Sequence, residues 1–285
     1  MKLSIIITSW NTERLLKACL ASIAAFPPDC PYETIVVDNA SKDGSVPMVR
    51  SQFPSVHLIE HPKNSGYAGG NNIGFTASKG EYVLLLGSDT EVTANAVQRM
   101  VDFLDSQKDA GIAACRLQYP NGEIQRSCKR FPTVGNALAM YCSLHSLNKG
   151  YLMTEFDHLS FREVDQPDAT CVMIRRSALD SFIFDEQYSI LYNDVDLCQR
   201  VKRKGWKIYY LPDATVIHHG SQSTKQAPPN VRLVMYQNIL RYYQSYFGTY
   251  TRFFLAPVLF IRYTAATRSL SGFSLFYSLT KGSLS

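Results

Sequence analysis

An α/β fold is what this sequence predicts: one mostly parallel sheet sandwiched by helices, followed by a C-terminal helical extension. Three observations carry that expectation. Continuous apolar runs alternate with helix-period segments through the first third of the chain, the pattern of strands covered on both faces. With 285 residues, 46% of them hydrophobic, the chain can bury a sizeable core, and a charged fraction of 19% argues against disorder. After the segment KQAPPN the composition shifts toward tyrosine and phenylalanine, so residues 1–224 and 225–285 are read as separate units.

The elements follow in order. Leu3–Thr8 is an apolar strand. Asn11 or Thr12 caps the next helix, in which Leu15, Leu16, Cys19, Leu20 and Ile23 share a face and Pro27-Pro28 closes the run. ETIVVD is a second strand ending at Asp38, NASKDGS a turn, and Val46–Phe53 a short helix. VHLIEH is the third strand; the glycine-rich loop NSGYAGGNNIG leads into a helix ending near Ser78. EYVLLLG is the fourth strand, running into GSDTEV, with a helix from about Ala94 to Ser106 beyond it. Further on, Asn193 caps a helix reaching about Lys204. Leu197 and Val201 form its buried stripe, Lys202, Arg203 and Lys204 its basic last turn, and Gly205 its left-handed stop. KIYYL then reads as a strand, Pro212-Asp213 as a turn, and TVIHHG as a second extended piece ending at His218 and His219. Asp194 and Asp196, in the first turn of that helix, suit its dipole, and a carboxylate and an imidazole are brought to one place.

In a parallel sheet ligands bind at the carboxyl ends of the strands. Asp38, the NSGYAGGNNIG loop and Ser88-Asp89-Thr90 follow three successive strands. Each alone would be an ordinary cap or turn; three together point to a ligand, with Gly66, Gly69, Gly70 and Gly74 admitting it close to the backbone. The first strand is followed by SWNTER, which lacks the GxGxxG of a dinucleotide site, and no GxxxxGK[ST] occurs. An acid at the second tip and another at the fourth suit a nucleotide held by its base and by a metal-bound diphosphate. The net charge of +5 fits anionic partners such as nucleotide phosphates or a membrane surface and does not indicate a nucleic-acid binder. Seven scattered cysteines form no CxxC pair and read as reduced thiols of a cytosolic protein; Cys128, Cys171 and Cys198 take structural roles. MKLSIIIT does not read as a signal peptide.

The motifs IIITSWN, IVVDNASKDGS, NSGYAGGNNIGFTASKGEYVLLL, SDTEV, RSCKRFPT, CVMIRRSAL and NDVDLCQRVKRKGWKIYYLPDATVIHHGSQS, in this order, resemble the family 2 inverting glycosyltransferases of the glycosyltransferase A fold, a Rossmann-like sheet. Their rhamnosyltransferase-like branch is the nearest likeness, and it covers roughly the first 250 residues. The resemblance implies that Asp38 contacts base or ribose, and that Thr8, Asn11, Asn64, Gly66, Tyr67, Gly70, Asn71, Ser88 and Asp89 line the nucleotide-sugar donor pocket. It further implies that Asp89 and His218 hold Mn²⁺ or Mg²⁺ and that Asp194 is the base, with His219 a helper or a core residue. Two positions depart from the family pattern. Gly87 stands where the first acid of the metal motif belongs. Asn193 replaces an acid beside the base, which lowers the expected pKa of Asp194 relative to a paired acid.

Arg126, Arg130, Arg175 and Arg176 lie near matched segments and read by default as solvated side chains. Beyond KQAPPN, Val231–Phe247 is a tyrosine-rich helix, and FFLAPVLFI, broken by Pro257, is too short for a membrane span of about 20 residues. Two readings stand side by side for this extension: a helix packed on the catalytic unit or on a second copy, and an interfacial segment touching anionic lipid. The implied acceptor is a saccharide or a lipid-linked saccharide, and the implied location is cytoplasmic, peripheral to the membrane. A sugar-1-phosphate nucleotidyltransferase and a non-catalytic glycosyltransferase-like subunit are the alternatives.

Overall fold

In a computed structural model, residues 1–188, 191–220 and 231–267 are described. The 224/225 boundary, the KQAPPN linker and the segment RSLSGFSLFYSLTKG lie outside them.

The sheet begins as the alternation dictates. Strands β1 (Leu3–Ser9), β2 (Tyr32–Asp38), β3 (His57–Glu60) and β4 (Tyr82–Leu86) run parallel in the order β3-β2-β1-β4. Alternate residues of β1 face opposite sides. Ile5 and Ile7 join the apolar cluster with Leu16, Cys19, Leu20 and Ile23 of α1 (Glu13–Ala25), Met48 and Val49 of α2 (Ser45–Gln52), and Val97, Met100, Val101 and Leu104 of α4 (Ala96–Ser106). Ile6 joins Ala68 and Phe75 of α3 (Gly66–Ala77) and Leu197, Cys198 and Val201 of α6 (Asn193–Arg203) on the other side.

Beyond β4 the sheet becomes mixed. Strand β10 (Cys171–Arg175) enters antiparallel between β4 and β6 (Ala110–Gln118), and β6 runs parallel to β11 (Lys207–His218). The short strands β5 (Thr90–Val92) and β8 (Arg162–Glu163) both pair antiparallel with β11, while β7 (Cys128–Lys129) and β9 (Gln166–Pro167) form a separate ribbon. The two extended pieces expected around Pro212-Asp213 are thus one strand. The ladder to β6 shifts register between Leu211 and Thr215, where proline has no N–H to give.

The glycine-rich segment is chiefly helix, not loop. Gly66, with φ +72°, opens α3, and Gly69, Gly70 and Gly74 lie inside it. A Cβ on Gly70 would sit 2.4 Å from Cγ2 of Thr8, and one on Gly74 2.5 Å from Cγ2 of Ile6. These two glycines therefore bring the helix against β1; they do not admit a ligand to the backbone. Helix starts also differ from expectation. Thr12 precedes α1 without capping it; a carboxylate oxygen of Asp43 accepts the Glu13 N–H instead (2.9 Å). Asn193 is the first helical residue of α6, not its cap.

The C-terminal helices α7 (Val231–Phe247) and α8 (Thr251–Thr267) pack against α5 (Val134–Tyr141) and the start of α6. Tyr236, Ile239, Leu240, Tyr242 and Tyr243 of α7 share a cluster with Ala137, Tyr188, Val195, Leu255 and Leu259. No helix among the described residues is long and apolar enough to cross a membrane.

Candidate active site

Register gathers the polar residues at one edge. Ser9 pairs with Asp38 at the carboxyl ends of β1 and β2, and β4 ends at Leu86, just before Gly87-Ser88-Asp89. Because β10 is antiparallel to β4, its beginning lies at the same edge: Cys171 is opposite Leu86, and Gly87 donates its N–H to the Thr170 carbonyl (2.8 Å). His218 ends β11 opposite Thr90, which follows Asp89. Here a cavity of about 470 Å³ opens, lined by Thr8, Tyr67, Ser88, Asp89, Asp194 and His218 among the expected residues.

The other expected residues stand behind it. Asn11 (φ +50°) straps two loops together: its N–H donates to Ser41 Oγ and its Oδ1 accepts from the Lys42 N–H. Asn64 is exposed and accepts the Gly66 N–H (2.8 Å). Asn71 is buried and donates to the Tyr67 carbonyl, while Gly70 packs on Thr8. Asp38 is buried; Oδ2 accepts the Ser41 N–H, and Oδ1, like Thr8 Oγ1, is buried with no hydrogen-bond partner among the described residues. Buried oxygens of this kind are rare and want a donor. Ser88 joins a hydroxyl chain, accepting from Thr12 (3.1 Å), which is itself bonded to Ser9.

Nε2 of His218 lies 3.6 Å from Oδ2 of Asp89. Gln125 holds His218 at two points, one on the backbone and one on the ring: its Nε2 donates to the His218 carbonyl (2.8 Å), which turns its Oε1 toward Nδ1 (2.7 Å). In the neutral ring Nδ1 therefore carries the hydrogen and Nε2 presents its lone pair to the Asp89 carboxylate, the arrangement of a metal-ligating histidine. One oxygen and one nitrogen donor converging in this way fit a hard divalent cation such as Mn²⁺ or Mg²⁺. Among the described residues no group of three or more histidines, cysteines or acids forms, so two protein ligands would leave positions for phosphate oxygens. His219 turns away and meets Glu91 (2.6 Å).

Asp194 sits in the first turn of α6, where Oδ1 accepts the Val195 N–H (2.8 Å). Its pKa is pushed up to about 6, first by burial in the cavity wall and then by the charge of Asp168, with Lys129 and the backbone N–H groups opposing. This reverses the expectation drawn from Asn193: the neighbouring negative charge comes from Asp168, in the turn between β9 and β10. Asp168 lines the cavity and pairs with Lys129 (3.2 Å). Burial works against the charge of that lysine, but Asp168 and Asp194 outweigh it and hold its pKa above the usual value.

The approach to α6 is unusual. Leu191 and Tyr192 both take left-handed backbone conformations, φ +61° and +65°, costing roughly 1–3 kcal/mol each. Tyr192 is held there by Tyr242 (ring centroids 4.7 Å apart) and Tyr243, while the Tyr246 hydroxyl donates to Asp196 (2.6 Å).

Sequence reasoning missed Asp168, Gln125 and Thr170. The sequence signal for Asp168 was its place just before the strand CVMIR, informative only if that strand runs antiparallel. Of the four arginines, only Arg126 lines the cavity. Arg130 pairs with Glu155; Arg175 is buried and donates to the carbonyls of Leu104, Gln107 and Ala110; Arg176 donates to Gly80 and Ser78. All seven cysteines are free, and Cys128, Cys171 and Cys198 are buried.

The family model described as Glycosyl transferase family 2 matches residues 4–182. An N-acetylglucosaminyl-diphospho-decaprenol L-rhamnosyltransferase of Mycobacterium tuberculosis is 25% identical over 242 residues, covering 79% of this chain and 78% of that protein. The crystal structure of S. aureus TarS 1-349 in complex with UDP-GlcNAc superposes with a TM-score of 0.59 at 17% identity, covering 98% of this chain and 79% of that one. A mannosyltransferase from Pyrobaculum calidifontis in complex with GDP-Man and Mn²⁺ gives 0.56 at 17% identity, covering 100% and 81%. The shared fold is that of the glycosyltransferase A class.

Proposed function

The chain belongs to glycosyl transferase family 2, and from that premise we propose that it transfers a sugar, with inversion, from a nucleoside-diphosphate donor to a hydroxyl of a saccharide or lipid-linked saccharide. The observation that carries this reading is the position of Asp194, a carboxylate with its pKa near 6, in the wall of the same cavity that holds Asp89 and His218. A base so tuned is ionised at neutral pH and still holds a proton well enough to remove one.

The geometry supports a single displacement. Oδ1 of Asp194 is engaged by the Val195 N–H, so Oδ2 receives the proton of the acceptor hydroxyl. The acceptor oxygen forms its bond to the anomeric carbon as the bond to the diphosphate breaks on the opposite face, and the electron pair leaves with the diphosphate. One displacement inverts the configuration and needs no nucleophile on the protein. Asp89 and His218 would hold Mn²⁺ or Mg²⁺, which when bound neutralises charge on the departing diphosphate. Thr8 Oγ1 in the cavity wall and Asp38 Oδ1 behind it are left as acceptors for hydroxyl or N–H groups of the nucleotide, Tyr67 and Ser88 wall the pocket, Asn11 and Asn64 shape loops behind it, and Gly66, Gly70 and Asn71 belong to α3.

The relative from M. tuberculosis, an L-rhamnosyltransferase by its name, makes a rhamnose donor the first to try. The test is nucleoside-diphosphate release from dTDP-rhamnose, UDP-glucose, UDP-galactose, UDP-N-acetylglucosamine and GDP-mannose, with Mn²⁺ or with chelator. Release from one donor, lost with chelator and in Asp194→Asn, supports the reading. Neither release nor a donor-induced thermal shift would favour a non-catalytic subunit.

A further inference from the structure

Helix α8 is apolar on two opposite faces. Its inner face buries Leu255, Ala256 and Leu259 against the rest of the protein. Its outer face presents Phe253, Phe254, Pro257, Ile261 and Ala265, all exposed, with both phenylalanines and Ile261 more than half so. A surface helix normally turns polar residues outward; one apolar all round is covered on both sides. The patch continues onto the neighbouring turn. Arg262 donates to Ser143 Oγ (3.1 Å), and beside Ser143 the side chains of Leu144 and Leu147 are again more than half exposed.

Charge says what covers it. From Ala214 to Ser285 the sequence carries seven lysines and arginines and no aspartate or glutamate, whereas residues 1–213 carry 22 basic and 24 acidic side chains. The positive excess of the whole chain thus resides in its C-terminal quarter. Among the described residues Arg241, Arg252 and Arg262 form no ion pair with an acid, and Arg252 lies over the Phe253 ring at 4.9 Å. Exposed aromatics flanked by unopposed arginines complement an anionic lipid surface, where rings sink to headgroup depth and guanidinium groups meet phosphates. A second copy would bring the same acid-free patch against itself, cation facing cation, since a two-fold interface is self-complementary.

We propose that the outer face of α8, with the Leu144–Leu147 turn beside it, docks on the surface of an anionic bilayer. The proposal rests on the shape and charge of this face and not on the glycosyl-transfer reading, so either can fail without the other.

The experiment is co-sedimentation of the full chain with vesicles of phosphatidylcholine alone and of phosphatidylcholine mixed with phosphatidylglycerol, at low and high salt. Binding to the mixed vesicles only, released by salt, is expected, because surface electrostatics fade beyond a Debye length. Phe253→Ser combined with Phe254→Ser should cut the bound fraction at least about tenfold, since about two rings of apolar surface are lost to the membrane. Arg252→Gln combined with Arg262→Gln should remove the preference for anionic lipid. Circular dichroism of each variant checks that it is folded. No binding to either vesicle, equal binding to both, or a dimer that the double serine variant converts to monomer would overturn the proposal.

Discussion

Nε2 of His218 faces Oδ2 of Asp89 across 3.6 Å, and His218 is held by two hydrogen bonds with a single glutamine, Gln125, which donates to its carbonyl and accepts from its Nδ1–H. His218 ends one strand, and Asp89 immediately precedes its antiparallel neighbour. If they hold a divalent cation, either Asp89→Ala or His218→Ala should weaken donor binding at least about tenfold with Mn²⁺ present and little with chelator. Calorimetric titration of the nucleoside diphosphate under both conditions decides it; unchanged affinity would remove both residues from the cation site.

Asp194→Asn should keep donor affinity within about twofold while transfer falls by roughly 10²–10⁴. In the unaltered protein, activity should rise with pH through about 6, since only the carboxylate accepts a proton. Stability runs the other way. The folded-state pKa lies above the ordinary value, so between about 4 and 6 the folded chain binds more protons than the unfolded one, and this group makes the protein less stable as pH rises through that window. Asparagine removes that cost. The inactive variant should therefore melt about 2 °C or more above the parent at neutral pH, a gap that closes toward pH 4. Equal melting temperatures at all pH values would contradict the burial of this carboxylate.

Asp168→Asn removes the second cause of the raised pKa. Asp194 then ionises more readily, and the acidic limb of the pH–rate profile should move down by up to about one unit. An unmoved limb would show that Asp168 does not act on the base.

Gly70→Ala tests the packing of α3. The new methyl would lie 2.4 Å from Cγ2 of Thr8, and thermal denaturation should report a loss of roughly 1–3 kcal/mol. A variant as stable as the parent would show that the helix can shift without cost.

How much of this was legible in the sequence follows from strand direction. Thr8 and Asp38 lie at the carboxyl ends of parallel strands and Ser88-Asp89 just past another, and alternation alone places them at one edge. Asp168 comes before its strand and reaches the edge only because β10 is antiparallel, which no local pattern reveals. Three-residue β5 leaves no periodic signal, and the shift at Leu211–Thr215 mimics a turn. Glycines at close spacing look alike whether they serve a ligand or a neighbouring strand; only the contacts with Thr8 and Ile6 tell them apart. Arg175 reads as a surface cation until its carbonyl partners are seen.

The tyrosines of α7 change where this molecule can be divided. Asp38 ends β2 and Asp89 lies in the turn after β4, both within the stretch matched by the family model, but Asp194 and His218 lie beyond it. Asp194 follows a left-handed pair whose second member, Tyr192, leans on Tyr242 and Tyr243. A chain ending after Gly220 would keep the strands of the sheet and lose the rings that hold Tyr192 beside Asp194. One cavity is therefore assembled from both lengths of polypeptide, Asp89 from the first and Asp194 and His218 from the second, and neither length alone carries it.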